Sequence, residues 1–184
     1  KPDGTTDAGF DTSLTAANLL TDTNVAAAGY TKFRRIGSIR TNASNQITNF
    51  YSIYTDVGGE KIFLWNDPQL SFTIADVSTP ALQTISEIPP QVHPLGIFNV
   101  SMNSIASFTS IAGIFSPFQT NSPTTINSYI QLWAGPGTFK DASAQVEVLA
   151  NTAQQIYAFA YDPAPATGVS LDCYTLGWKE SMEY

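Results

Sequence analysis

A chain of 184 residues is long enough for one sizeable domain. Only 12% of it is charged, about half the usual share, while 43% is hydrophobic and 12% aromatic, which excludes a disordered polyampholyte. A net charge of -7 argues against a nucleic-acid partner, and one cysteine, Cys173, excludes an internal disulfide framework or a multi-cysteine metal site.

Lys1-Pro2-Asp3-Gly4 in place of an initiator Met predicts a processed, trimmed or partial chain, and no basic-then-apolar leader is visible. Residues 1–28 read as an irregular N-terminal segment. Asp11 to Leu20 carries capping residues but no sustained helical stripe, which predicts coil with one or two helical turns at most. From Tyr30 to Arg40 the chain is rich in strand formers, and Thr41 to Asn45 supplies a turn. Ile47 to Thr55 then alternates, with Ile47, Asn49, Tyr51 and Ile53 on one face and Thr48, Phe50, Ser52 and Tyr54 on the other. The turn Asp56 to Glu60 returns it through Lys61–Trp65, using Gly58-Gly59 for positive φ. Further strands are predicted at Leu70–Ile74, Ala81–Ser86, Gly96–Ser101, Ser107–Phe115, Ser128–Ala134, Ala144–Ala150, Gln155–Tyr161 and Leu171–Trp178. Ten or so short strands with regular turns predict an all-β antiparallel sandwich, jelly-roll-like, over a single domain 29–184.

Catalytic constellations are sparse. His93 is the only histidine; it stands among prolines without a Gly-x-Ser-x-Gly elbow and reads as a loop residue, not the shuttle of a triad. One His and one Cys make a zinc site unexpected, and Cys173 in an apolar strand reads as a buried thiol. No phosphate-binding glycine loop is present. No cofactor or metal is therefore expected, and no catalytic residue is assigned. Glycosidase chemistry needs only two carboxylates; Asp56 with Glu60 and Asp162 with Asp172 flank turns, where local hydrogen bonding is their ordinary task. Sugar binding without catalysis asks for less: an exposed aromatic face with amide and hydroxyl groups. Tyr129, Trp133 and Tyr161 are the candidates, although aromatics at strand spacing are more often core.

Four segments resemble a pattern found in bacteriophage tail-fibre and appendage proteins. They are Gly29-Tyr30-Thr31-Lys32-Phe33-Arg34-Arg35-Ile36-Gly37-Ser38-Ile39-Arg40-Thr41, the strand Phe63-Leu64-Trp65, the pair Pro89-Pro90, and Leu171-Asp172-Cys173-Tyr174-Thr175-Leu176-Gly177-Trp178. Order and spacing agree with that pattern over nearly the whole chain, and the arginine-rich segment is the specific part. Relatives often continue the last Trp into "x-D-x-R-G", whereas Trp178 is followed by Lys179-Glu180-Ser181-Met182. The resemblance implies a non-enzymatic virion module, on a tail fibre, spike or head fibre, assembled in the bacterial cytoplasm and acting outside it. It implies other virion proteins as partners, commonly as a homotrimer, with Arg34, Arg35, Gly37, Trp65 and Trp178 as structural signature residues. The alternative is a carbohydrate-binding module or a fragment of a glycan-depolymerising tailspike, with a host-surface glycan as ligand.

Two expectations follow from charge placement. Lys32, Arg34, Arg35 and Arg40 read as a solvated or inter-chain strand face, with an anionic-ligand site as the alternative. Neighbours on a strand face opposite ways, so one of Arg34 and Arg35 is expected to turn inward to a carboxylate or backbone carbonyls. Residues 88–139 contain no Asp, Glu, Lys or Arg, yet Ser, Thr, Asn and Pro break every apolar run too early for a membrane span. Alternation should bury part of the set Ile97, Phe98, Ile105, Phe108, Ile111, Ile114, Phe115 and Phe118 and turn the rest outward. The outward part would need covering by symmetry-related copies.

Overall fold

The computed structural model describes residues 8–11, 16–22, 29–30, 32–33, 38–54, 60–90, 94–104, 110–119, 130–134, 140–161 and 168–181. The chain divides into two compact units, Lys1–Gly37 and Ser38–Tyr184. Among the described residues of the first, one helix, α1 (Ala17–Thr21), is held by Asp11, whose carboxylate accepts from the Leu19 N–H at 2.8 Å and from the Asn18 amide at 2.7 Å. The helix is as short as expected, but its N-cap is Ala16, which makes no side-chain cap bond, and Asp11 reaches its first turn from outside the helix.

Among the described residues the second unit has nine strands: β1 (Phe50–Tyr54), β2 (Glu60–Ala75), β3 (Val77–Thr84), β4 (Leu95–Ser104), β5 (Ser110–Phe115), β6 (Ile130–Ala134), β7 (Lys140–Leu149), β8 (Gln155–Tyr161) and β9 (Val169–Ser181). Every pairing is antiparallel. One sheet runs β1-β2-β9-β4-β7 and the other β3-β8-β5-β6. Strands β2 to β9 pass between the sheets in the order of two Greek keys, so the expected sandwich is present with jelly-roll connectivity.

Two strands differ instructively from the sequence reading. Lys61–Trp65 and Leu70–Ile74, expected as separate strands, are the two ends of β2. Between those ends Asn66-Asp67-Pro68 leaves the ladder as a bulge between Leu64, opposite Gly177, and Gln69, opposite Thr175. Gly177 makes that bulge possible, since a Cβ there would lie 1.9 Å from the Phe63 carbonyl oxygen. Strand β3 begins earlier than expected because Asp76, at φ 52°, turns the chain in one residue. Its N–H donates to the Val169 carbonyl at 3.0 Å and its carboxylate accepts from the Val169 N–H at 3.1 Å. Pro80 then sits in a register shift of this edge strand, where a missing N–H is tolerated.

The core lies between the sheets. The five-stranded sheet contributes Phe63, Trp65, Phe98, Val100, Met102, Leu171, Cys173 and Trp178, and the four-stranded sheet contributes Ala112, Ile114, Leu132, Ile156, Ala158 and Ala160. The charge-free stretch is buried on both sides of its strands. Phe98 and Ile114 face the core, while their neighbours Ile97 and Phe115 are also buried. Ile111 is half-buried and Phe118 is 51% exposed. Alternation therefore does not turn Ile97 or Phe115 outward, and of the described members of this set Phe118 is the exposed one. Ile105 and Phe108 lie outside the described residues, as do Arg34, Arg35 and Gly37.

Candidate functional site

At one end of the sandwich, residues from six separate segments meet. Phe50 on β1, Phe63 and Trp65 on β2 and Trp178 on β9 form an aromatic cluster. Phe63 and Trp178 stack at 4.7 Å with ring planes 4° apart, and Trp65 meets Trp178 at 5.0 Å. Phe50 stands edge-on to Trp65 at 6.3 Å. The Trp178 indole N–H donates to the buried Glu180 carboxylate at 2.9 Å, which satisfies a polar atom that the core would otherwise strand.

Arg40 caps this cluster. It enters on a short hairpin closed by a bridge between Thr41 and Ile47 and by the Thr48 N–H donating to the Arg40 carbonyl at 2.9 Å. The Asn42 side-chain oxygen accepts from the N–H groups of Ser44 and Gln46, at 2.9 and 3.0 Å, and so fixes the turn. The Arg40 guanidinium lies 5.8 Å from the centre of the Trp65 ring, a cation–π placement, and 3.6 Å from Glu87 Oε1. That separation exceeds a charge-assisted hydrogen bond, so the pair is Coulombic contact and not a bidentate clamp. Glu87 is buried; its Oε1 accepts from the Ser86 hydroxyl at 2.6 Å, and its Oε2 has no hydrogen-bond partner, nor has the buried Trp65 Nε1. A small cleft of ≈ 150 Å³ opens here between Arg40, Glu87, Pro89, Pro90, Gln154 and Trp178. The Gln154 amide donates to the Ile88 carbonyl and holds the β7–β8 turn against the Pro89-Pro90 turn.

Thus four stretches far apart in sequence, namely Arg40, Phe63 with Trp65, Pro89 with Pro90, and Trp178, form one neighbourhood. Two of the signature residues, Trp65 and Trp178, are in it. Glu87 was not singled out by sequence reasoning. Its signal was its place as the last charge before the charge-free stretch, immediately ahead of Ile88-Pro89-Pro90.

The other candidates sit elsewhere. Trp133 and Tyr161 occupy register positions on either side of Ile111, in one row across β6, β5 and β8. At ordinary strand spacing that puts their backbones roughly 10 Å apart. Tyr161 is 41% exposed, and Tyr129 lies outside the described residues. Of the two carboxylate pairs, Asp56 and Asp162 lie outside the described residues as well, as does His93. Glu60 opens β2, and the Asp172 carboxylate accepts from the Thr73 hydroxyl at 2.6 Å across β2 and β9. Cys173 is fully buried; desolvation, and secondarily the charge of Glu87, push its thiol well above the ordinary range, so it carries no thiolate near neutral pH. Among the described residues no group of three or more His, Cys, Asp or Glu is placed to hold a metal ion.

The aromatic cluster with its Arg40 cap ties an incoming hairpin, two turns and two strands into one end of the sandwich. No family model matches the chain, and no curated protein matches it.

Proposed function

We propose that the chain is a non-enzymatic structural module of a bacteriophage virion appendage, serving host attachment or virion architecture and assembling as a homotrimer with other virion proteins. The observation that carries this reading is the convergence of Arg40, Trp65, Pro89-Pro90 and Trp178. The segments that resemble appendage proteins are spread over the sequence, and a shared structural task gives them a physical reason to occur together. A low-charge jelly roll with exposed Tyr51, Ile53, Leu70, Leu82 and Phe118 also suits a module that packs against neighbours. Mass spectrometry of purified particles is the test, with the chain expected in stoichiometric amount. Analytical ultracentrifugation tests the trimer, and a monomer at micromolar concentration would refute self-sufficient assembly.

The second reading, a carbohydrate-binding module or depolymerase fragment, is favoured by the row that brings Trp133 and Tyr161 to either side of Ile111. A polysaccharide-degradation assay separates the two. Turnover that a single Asp or Glu substitution abolishes would sink the non-enzymatic reading.

A further inference from the structure

A second cleft, of ≈ 320 Å³, lies between the 42–49 hairpin and the β2 bulge, on the opposite sheet from the Trp133–Tyr161 row. Its volume falls at the low end of the range for small-ligand sites. Asn42, Gln46, Thr48, Asn49, Asp67 and Gln69 face it, a set made of four amides, a hydroxyl and one carboxylate. We infer that this cleft binds a neutral hydroxylated ligand, a hexopyranose unit of a glycan, with the Tyr51 ring as the apolar platform at its rim.

Both walls are already held in place by their own hydrogen bonds. On the hairpin side, Asn42 Oδ1 closes the turn and Asn42 Nδ2 donates to Gln46 Oε1 at 3.3 Å. On the bulge side, the Gln69 amide donates to the Asp67 carbonyl at 2.7 Å and the Asn66 amide to Asp67 Oδ2 at 3.2 Å. The Asn66 N–H donates to the Asn49 carbonyl at 3.2 Å and fastens one wall to the other. Preorganisation of this kind lowers the ordering cost of binding.

The groups left over define the ligand. Within the cleft, the Gln46 Nε2 hydrogens, the Thr48 hydroxyl, the Asn49 side-chain amide, Asp67 Oδ1 and Gln69 Oε1 remain available, a mixture of donors and acceptors. A sugar hydroxyl both donates and accepts, so neighbouring hydroxyls match such a mixture where a purely anionic or purely cationic group does not. The cleft has one carboxylate and no basic residue, and it belongs to a chain of net charge -7, so phosphate, sialic acid and uronic acid are repelled. Tyr51 is 62% exposed, and its hydroxyl donates to Asn66 Oδ1 at 3.0 Å, one residue from Asp67. That bond anchors the ring beside the cleft, and an anchored aromatic ring packs against the C–H face of a pyranose at little conformational cost.

The inference rests on the attachment reading only for its purpose, because the cleft would bind sugar whatever particle carries it. The test is saturation-transfer NMR and titration of the full chain with lactose, cellobiose and N-acetyllactosamine, alongside sialyllactose and inorganic phosphate. Millimolar binding of at least one neutral probe is expected, with no binding of phosphate and weaker binding of sialyllactose than of lactose. Tyr51→Ala and Gln46→Ala should each weaken binding by about tenfold, whereas Tyr51→Phe, which keeps the ring but loses its tether to Asn66, should fall between the wild type and Tyr51→Ala; both residues are exposed, and circular dichroism checks that the fold survives. No neutral probe bound, preference for the acidic probes, or binding lost in Tyr161→Ala but not in Tyr51→Ala would each overturn the assignment. Particle mass spectrometry is independent of all these outcomes, so failure of the cleft and failure of the virion reading are told apart.

Discussion

The two sheets of the sandwich fill the same core in opposite ways. The five-stranded sheet turns its largest side chains inward, among them Phe63, Phe98 and Trp178. The four-stranded sheet answers with Ala112, Ala158 and Ala160 and turns its own aromatics to the other face. Along β8, Ile156, Ala158 and Ala160 point to the core, and Tyr157, Phe159 and Tyr161 point away. Face-to-face sheets stand about 10 Å apart, so bulky residues on one wall require small residues opposite if the space is to close without voids. Phe159 is nevertheless only 1% exposed, and Phe115 stacks on Tyr157 at 5.1 Å, so this outer aromatic layer is itself packed. Side-chain size therefore does not identify the inner face of a strand. Complementarity with the opposing sheet does.

The contrast can be tested by taking residues from each layer. Trp178→Ala should have the largest effect, a loss of about 4 kcal/mol in urea denaturation, because it empties the centre of the aromatic cluster. Phe98→Ala in the core and Phe159→Ala in the outer layer should each cost about 3 kcal/mol. A loss below about 1 kcal/mol for Phe159→Ala would break the claim that the outer layer is as tightly packed as the core. Ala158→Leu should destabilise by about 2 kcal/mol through overpacking against the large sheet. Arg40→Met should cost about 1 kcal/mol, since the guanidinium is partly exposed and its pair with Glu87 is long. A double-mutant cycle with Glu87→Gln isolates that coupling.

Much of this architecture was legible in the sequence, for physical reasons that also mark where legibility stops. Gln155–Tyr161 is legible with its observed bounds because a short apolar and aromatic run is followed by the turn formers Pro163-Ala164-Pro165. Leu171–Trp178 and Gly96–Ser101 were found but read short, since Lys179-Glu180 and Asn103-Ser104 look like strand ends until a partner strand pairs with them. The β2 bulge divides what the sequence presents as two strands, Lys61–Trp65 and Leu70–Ile74, and nothing local reveals that the ladder resumes at Gln69. The end cluster was visible only as separate pieces. Trp65, Trp178 and the proline pair stood out singly, but their meeting depends on β2 and β9 becoming neighbours, a pairing across more than a hundred residues. The amide cleft was invisible for the same reason: one wall is a hairpin that sequence identifies, and the other is a bulge that it does not.

Cys173 gives the molecule a built-in clock. It lies on β9, the middle strand of the larger sheet, opposite Phe72 on β2 and Val100 on β4. The side chain lies in the core between the sheets, so an alkylating reagent can reach that sulfur only after the sandwich opens, and the protonated thiol does not react before then. The chain has no other cysteine, so each molecule that opens acquires a single mass increment and every increment records one opening. Where the reagent is concentrated enough for labelling to outpace reclosing, labelling at mildly alkaline pH should therefore follow the rate of opening; at lower concentrations it follows the population of the open form. A variant that loosens the sandwich, Trp178→Ala above all, should run that clock faster in native buffer, long before any loss of structure is visible by circular dichroism.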